Sequence, residues 1–167
     1  RLVDAGKVRF IGASNYLAWR LEQAHWISET RGWAQFCCVQ QRYTYFQPKP
    51  GESFSPQTAV NDDLLDYVKN RDITLLAYSA LLGGAYTRTD REIPPEYYNT
   101  DNRLAALKSA ADDLNTSVNT VILAWMLQSD PSVLPLIAAS TDTQMQENLA
   151  ALELTLSADQ MERLNQP

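Results

Sequence analysis

The chain has 167 residues, 45% of them hydrophobic and 20% charged, with a formal net charge of −6. That length suits one domain with a proper core, and the composition is that of an ordinary globular protein. An acidic chain with no basic stripe argues against a nucleic-acid backbone binder, and no apolar run approaches the ~20 residues that span a bilayer, nor does a signal peptide open the sequence given. Cys37 and Cys38 are adjacent. Neighbours on a strand point to opposite faces, so they share neither a disulfide nor a metal. They read as two buried thiols of a cytoplasmic protein.

In chain order, Arg1 to Gly6 looks like the end of a helix stopped by Gly6, so the sequence reads as beginning inside a fold. Val8 to Ala13 predicts a short buried strand that delivers Ser14 and Asn15. Leu17, Leu21, Ala24 and Ile27 then keep helical spacing up to Gly32, with His25 a partly exposed structural residue. Phe36 to Val39 is the second strand, delivering Gln40 and Gln41. Residues 42–58, with Pro48, Pro50, Gly51 and Pro56, predict a long surface loop.

Asn61 or Asp62 caps a helix through Leu64, Leu65 and Val68, and Ile73 to Ala77 is the third strand, delivering Tyr78 and Ser79. Leu81-Leu82-Gly83-Gly84 follows, a backbone able to approach a ligand because two glycines lack Cβ. After a second long loop, Leu104, Leu107, Ala111 and Leu114 mark a helix, and Ser117 caps its successor. Val133 to Ala139, shortened by Pro135, is the fourth strand and delivers Ser140 and Thr141. Thr141 with Gln144 and Ser157 with Gln160 fit capping boxes for the last two helices.

This is one strand–tip–helix unit repeated, the grammar of a parallel α/β fold, where ligands bind at the carboxyl ends of strands. Side by side, the tips Ser14, Asn15, Gln40, Tyr78, Ser79, Ser140 and Thr141 offer recognition chemistry: amides and hydroxyls, plus one aromatic face for stacking. Ser14, Asn15 and Gln40 together suit a carboxamide. No carboxylate pair, Ser-His-Asp grouping or metal cluster falls on these tips.

The stretch Gly6 to Asn15 closely resembles the mid-chain signature of the aldo-keto reductases. Val39-Gln40, Tyr78-Ser79-Ala80-Leu81 with Gly83-Gly84, and Glu147-Asn148-Leu149 resemble that family's later motifs, in order. The resemblance implies a (β/α)8 barrel of the TIM type that binds NADP(H) and reduces aldehydes or ketones. By it, Ser14, Asn15 and Gln40 would hold the nicotinamide carboxamide and Tyr78 would stack on the ring. Ser79, Leu81 and Gly83 would line the pyrophosphate, and Ser140 and Thr141 the adenosine phosphate. Gln144, Glu147 and Asn148 would lie beside the adenine. Ala138 and Gln144 are not basic, which leaves NAD open beside NADP.

The family's proton-donor tyrosine and its partners have no matching motif here, so no residue is assigned as catalytic. With about four strands where a barrel needs eight, residues 1–167 read as one domain, the C-terminal half of such a barrel. The expected function is the cofactor-binding half of an oxidoreductase, acting on a small carbonyl substrate when the other half is present. The alternative is a noncatalytic or regulatory half-barrel that pairs with a second copy or a partner subunit through its open sheet edges.

Overall fold

A computed structural model describes residues 1–166. Four strands form one parallel sheet: β1 (Ile11–Ser14), β2 (Phe36–Arg42), β4 (Thr74–Tyr78) and β6 (Val133–Pro135), in the order β1-β2-β4-β6. Between them run α1 (Ala18–Arg31), α2 (Asp62–Asn70), and the pair α3 (Thr100–Asp113) and α4 (Val118–Gln128), with α5 (Asp142–Ala150) and α6 (Ala158–Asn165) closing the chain. Sheet order follows chain order with a helical crossover at every step, as in a sector of a TIM-type barrel.

The helices begin where short polar side chains can satisfy free backbone N–H groups. Asn61, Ser117, Thr141 and Ser157 each accept a bond from the third residue beyond them. Ser157 and Gln160 complete a capping box. Thr141 and Gln144 do not: Gln144 Oε1 accepts from Ser140 N at 2.8 Å rather than from Thr141 N. At the start of the chain, Ala5 N bonds to Arg1 O and the turn ends at left-handed Gly6, so the expected helix end is present as a single turn.

The core lies between the sheet and its helices. Leu75 and Ala77 of β4, Val39 of β2, and Val121 to Met126 of α4 are almost fully enclosed. Two expectations are corrected here. β1 is not a buried strand: it pairs only with β2, Gly12 and Ser14 are exposed, and Phe10 just before it is 73% exposed. Cys37 is likewise exposed, donating its thiol to Ile11 O, and Cys38 is half-buried; both are free. β1 is an edge strand with no second neighbour to cover it, and Cys37 lies at the register shift where β2 leaves regular pairing with β1.

The segment expected as a plain surface loop is also different. Tyr45 and Phe46 are fully buried, with Phe46 packed at 4.6 Å against the Tyr86 ring and Tyr45 edge-on to Trp125 at 5.2 Å. Tyr86 Oη is set to donate or accept beside the backbone N–H groups of Tyr45 and Phe46, which donate to it at 3.0 and 3.3 Å. Gln47–Pro48 (β3) then pairs antiparallel with Tyr97–Tyr98 (β5), tying the two long loops together. Arg103, buried in α3, donates to the carbonyls of Tyr45, Leu164 and Gln166 and lies 4.2 Å over the Tyr45 ring. One guanidinium therefore pins loop and C-terminal helix to α3.

Candidate cofactor-binding rim

Parallel pairing places the carboxyl ends of β1, β2 and β4 side by side. Ser14 stands opposite Gln40, and Gln40 opposite Leu76. Two residues on, Arg42 stands opposite Tyr78, on the same sheet face as Gln40. Asn15 turns out of β1 in the left-handed conformation, φ 57°, one that Asn tolerates better than most residues. Its N–H donates to Gln40 O at 3.1 Å, and its Nδ2 to Ser14 Oγ at 3.2 Å. Its Oδ1 accepts from Tyr78 Oη at 2.7 Å and from Thr58 N at 3.0 Å. Burial pushes the Tyr78 phenol above its ordinary range, so it stays a neutral donor.

Ser14, Asn15, Gln40 and Tyr78 are thus brought together. Their neighbour Gln41 plays a different part. It is wholly enclosed, accepting from Tyr16 N at 3.2 Å and donating to Tyr16 O at 3.1 Å. Gln40, half-buried, has no side-chain hydrogen bond within the described residues. One amide is committed to the scaffold and the other is free.

Beyond Tyr78 the backbone curls. Ser79, Leu82, Gly83 and Gly84 all have positive φ, and Leu82 N and Gly84 N bond back to Ser79 O and Leu81 O. Side chains missed from sequence close around this turn. Arg42 Nη1 donates to Ser79 Oγ at 3.3 Å and to Gln57 Oε1 at 3.1 Å, while Nε and Nη2 donate to Tyr97 Oη. A Cβ on Gly83 would lie 2.8 Å from Arg91 Nη1, and one on Gly84 2.9 Å from Arg88 Cδ. Period-two spacing from Gln40 is the signal that could have singled out Arg42.

The β6 tip forms a second group. Leu136 N donates to Ala77 O, setting it beside the end of β4. Ser140, Thr141 and Gln144 are exposed and bonded to one another around the start of α5. Glu147 faces α4, where its Oε1 accepts from Asn119 Nδ2 at 3.5 Å and its carbonyl accepts from Thr120 Oγ1. Asn148 is buried, and Asn119 Oδ1 is an enclosed acceptor with no partner. Among the described residues no cluster of three His, Cys, Asp or Glu could hold a metal, and no helix is long and apolar enough to cross a membrane.

A crossover-linked parallel sheet with a polar rim at its carboxyl end is the α/β architecture of barrel enzymes. The aldo/keto reductase family model matches residues 1–166, and the chain belongs to that family. It is 24% identical to versiconal hemiacetal acetate reductase of Aspergillus parasiticus, over 99% of this chain and 50% of that one. It is 23% identical to an aryl-alcohol dehydrogenase of Pestalotiopsis microspora, over 98% of this chain and 42% of that one. Among solved structures it is similar to the thermostable aldo-keto reductase Tm1743, crystallised with the inhibitor epalrestat, with TM-score 0.72 and 27% identity over 98% of this chain and 50% of that one. The chain spans about half the length of the relatives it matches.

Proposed function

We propose that residues 1–167 form the dinucleotide-binding half of an aldo-keto reductase barrel that reduces aldehydes or ketones. The observation that carries this reading is the unpartnered Gln40 amide, set between Ser14, Asn15 and Tyr78. A nicotinamide carboxamide presents the matching donor and acceptor. Ser14, Asn15 and Gln40 hold that carboxamide, and Tyr78, its hydroxyl fixed by Asn15, turns its ring to the nicotinamide. Ser79, Leu81 and Gly83 line the diphosphate with backbone amides. Ser140 and Thr141 stand by the adenosine phosphate, and Gln144, Glu147 and Asn148 by the adenine.

The bound dinucleotide supplies hydride chemistry; this chain's residues bind and orient it. No residue here is placed as the general acid: the family's proton-donor motif has no match in the sequence, and Tyr78, which donates to Asn15 Oδ1, is given the stacking role. The test is NADPH titration by fluorescence in the intact protein. Gln40→Ala should weaken binding about 10-fold, the scale of a hydrogen bond lost with its partner left unpaired. His25→Ala should leave it unchanged. A Gln40→Ala variant that melts and binds as wild type would remove the basis of the reading.

The unpaired β1 and β6 edges favour one second reading, a noncatalytic half-barrel completed by a second copy of the chain.

A further inference from the structure

The dinucleotide reading leaves unused a cavity formed by the loop that follows β2. It measures about 470 Å³, a size that suits a small molecule, and the start of α2, Arg103 of α3 and Trp125 of α4 complete its wall. That wall is largely aromatic and buried, with Tyr45, Phe46, Tyr97 and Trp125 all enclosed. Tyr43 stacks on Trp125 at 5.8 Å, and Val60 and Leu65 add apolar surface. Arg42 borders the cavity, but its guanidinium is already engaged with Tyr97, Gln57 and Ser79.

The polar groups of the wall are out of balance. Its amide acceptors are taken: Asn61 Oδ1 accepts from Leu64 N, Asn165 Oδ1 from Trp125 Nε1, and Gln47 Oε1 from Tyr98 Oη. Donors are left over. Tyr45 is 1% exposed, yet its phenolic Oη has no hydrogen-bond partner among the described residues. Arg103, 3% exposed, donates three bonds, to the carbonyls of Tyr45, Leu164 and Gln166, whereas a guanidinium carries five N–H groups. Burial pushes the Tyr43 phenol up to about 12, so it too stays protonated. Among the lining residues the one carboxylate is Asp62, exposed at the first position of α2. An enclosed phenol without a partner destabilises a fold, and Phe would pack as well.

We infer that this cavity is a second ligand site, separate from the dinucleotide rim, and that it takes a small aromatic carboxylate. The carboxylate accepts from Tyr45 Oη and from the Arg103 guanidinium, a charge-assisted pairing, and its ring lies among the aromatic side chains. Spare donors beside a buried guanidinium disfavour a cation. The apolar wall disfavours a bare inorganic anion.

Calorimetric titration of the intact protein with benzoate tests this, with benzylammonium as the cationic counterpart and inorganic phosphate as the bare anion. Benzoate should bind and the other two should not. Tyr45→Phe should weaken benzoate about 10-fold, the loss of one hydrogen bond to a charged group. The same change should raise the melting temperature of the ligand-free protein by about 2–4 °C, because it removes an enclosed polar atom that has no partner. Leu65→Trp, at a half-buried place in the wall, should fill the cavity and abolish binding. Saturating NADPH should leave benzoate affinity unchanged; displacement would put the ligand in the rim and overturn the assignment. A Tyr45→Phe variant that binds benzoate as wild type does the same, reducing the hydroxyl to a packing fault or the host of an ordered water. Tighter binding of benzylammonium than of benzoate, or no benzoate binding at all, is equally fatal.

Discussion

Tyr78 donates its phenolic hydrogen to Asn15 Oδ1 at 2.7 Å, linking the tips of β4 and β1 across the end of β2. The link makes Asn15 a hub that joins Ser14, Thr58, Tyr78 and the Gln40 backbone rather than an independent cap. Asn15→Ala removes the acceptor for both Tyr78 and Thr58 and puts a Cβ-bearing residue of poor left-handed tolerance at φ 57°. The expected loss is about 2 kcal/mol. Asn15→Gly relieves the backbone but not the bonds and should fall between. Urea unfolding checks the order; equal stability of all three proteins would show that the Asn15 contacts contribute nothing to the fold.

Gln41 and Gln40 are neighbours with opposite duties, which gives a paired test. Gln41→Leu takes the partner from the part-buried Tyr16 N–H and C=O, at a cost of about 1–2 kcal/mol in stability. Gln40→Ala should leave the melting temperature unmoved. Calorimetry on both variants suffices, and a reversal of their ranking would exchange the roles.

Among the described residues Arg103 pairs with no carboxylate; it holds three carbonyls and an aromatic face. Arg103→Met strands those carbonyls and should destabilise by about 3 kcal/mol. Arg103→Lys should recover little, because an ammonium cannot reproduce a planar fork. Denaturant midpoints decide it, and full recovery by Lys would mean that charge alone matters.

Burial raises the phenols of Tyr43, Tyr45, Tyr67, Tyr78 and Tyr86, that of Tyr43 to about 12. In the unfolded chain a tyrosine ionises near pH 10. Between these values the unfolded state has released protons the folded state retains, so its free energy falls and stability declines with rising pH. Stability from this source is complete below about pH 10 and is lost towards pH 12. Tyr43→Phe should lose less than wild type between pH 9 and 11, measured by urea unfolding. Parallel pH curves would show Tyr43 ionising freely in the fold.

Residues 1–167 alone should self-associate. The sheet ends in two unpaired edges, and Phe10 and Leu134 beside them are 73% and 48% exposed. Sedimentation velocity should show dimers or larger species; a clean monomer with a cooperative melt would contradict it.

What the sequence discloses is what local patterns encode. Period two and period 3.6 locate β1, β2, β4 and the helices, and single side chains mark the caps at Asn61, Ser117, Thr141 and Ser157. Long-range relations stay hidden. The β3–β5 ribbon is two residues per strand, too short for any period, and aromatic Tyr45 and Phe46 lie in a Pro-rich stretch whose composition says surface. Arg42 was overlooked because a charge beside a loop ordinarily means solvent, whereas here four neutral acceptor contacts fix it over the rim. The exposure of Phe10 follows from sheet position, which alternation along one strand cannot give.

Helix α1 opens at Leu17 with no side-chain cap, and the residue just before it is held instead by Gln41, 25 positions away. Four other helices carry side-chain caps within three residues, whereas the turn into α1 is held by a residue of β2. Folding of the first βα unit is therefore gated by a loop closure, an entropic barrier of the kind that slows chains rich in distant contacts. The kinetic signature should be a Gln41 substitution that slows refolding if β2 docks before the transition state, and one that only hastens unfolding if it docks after.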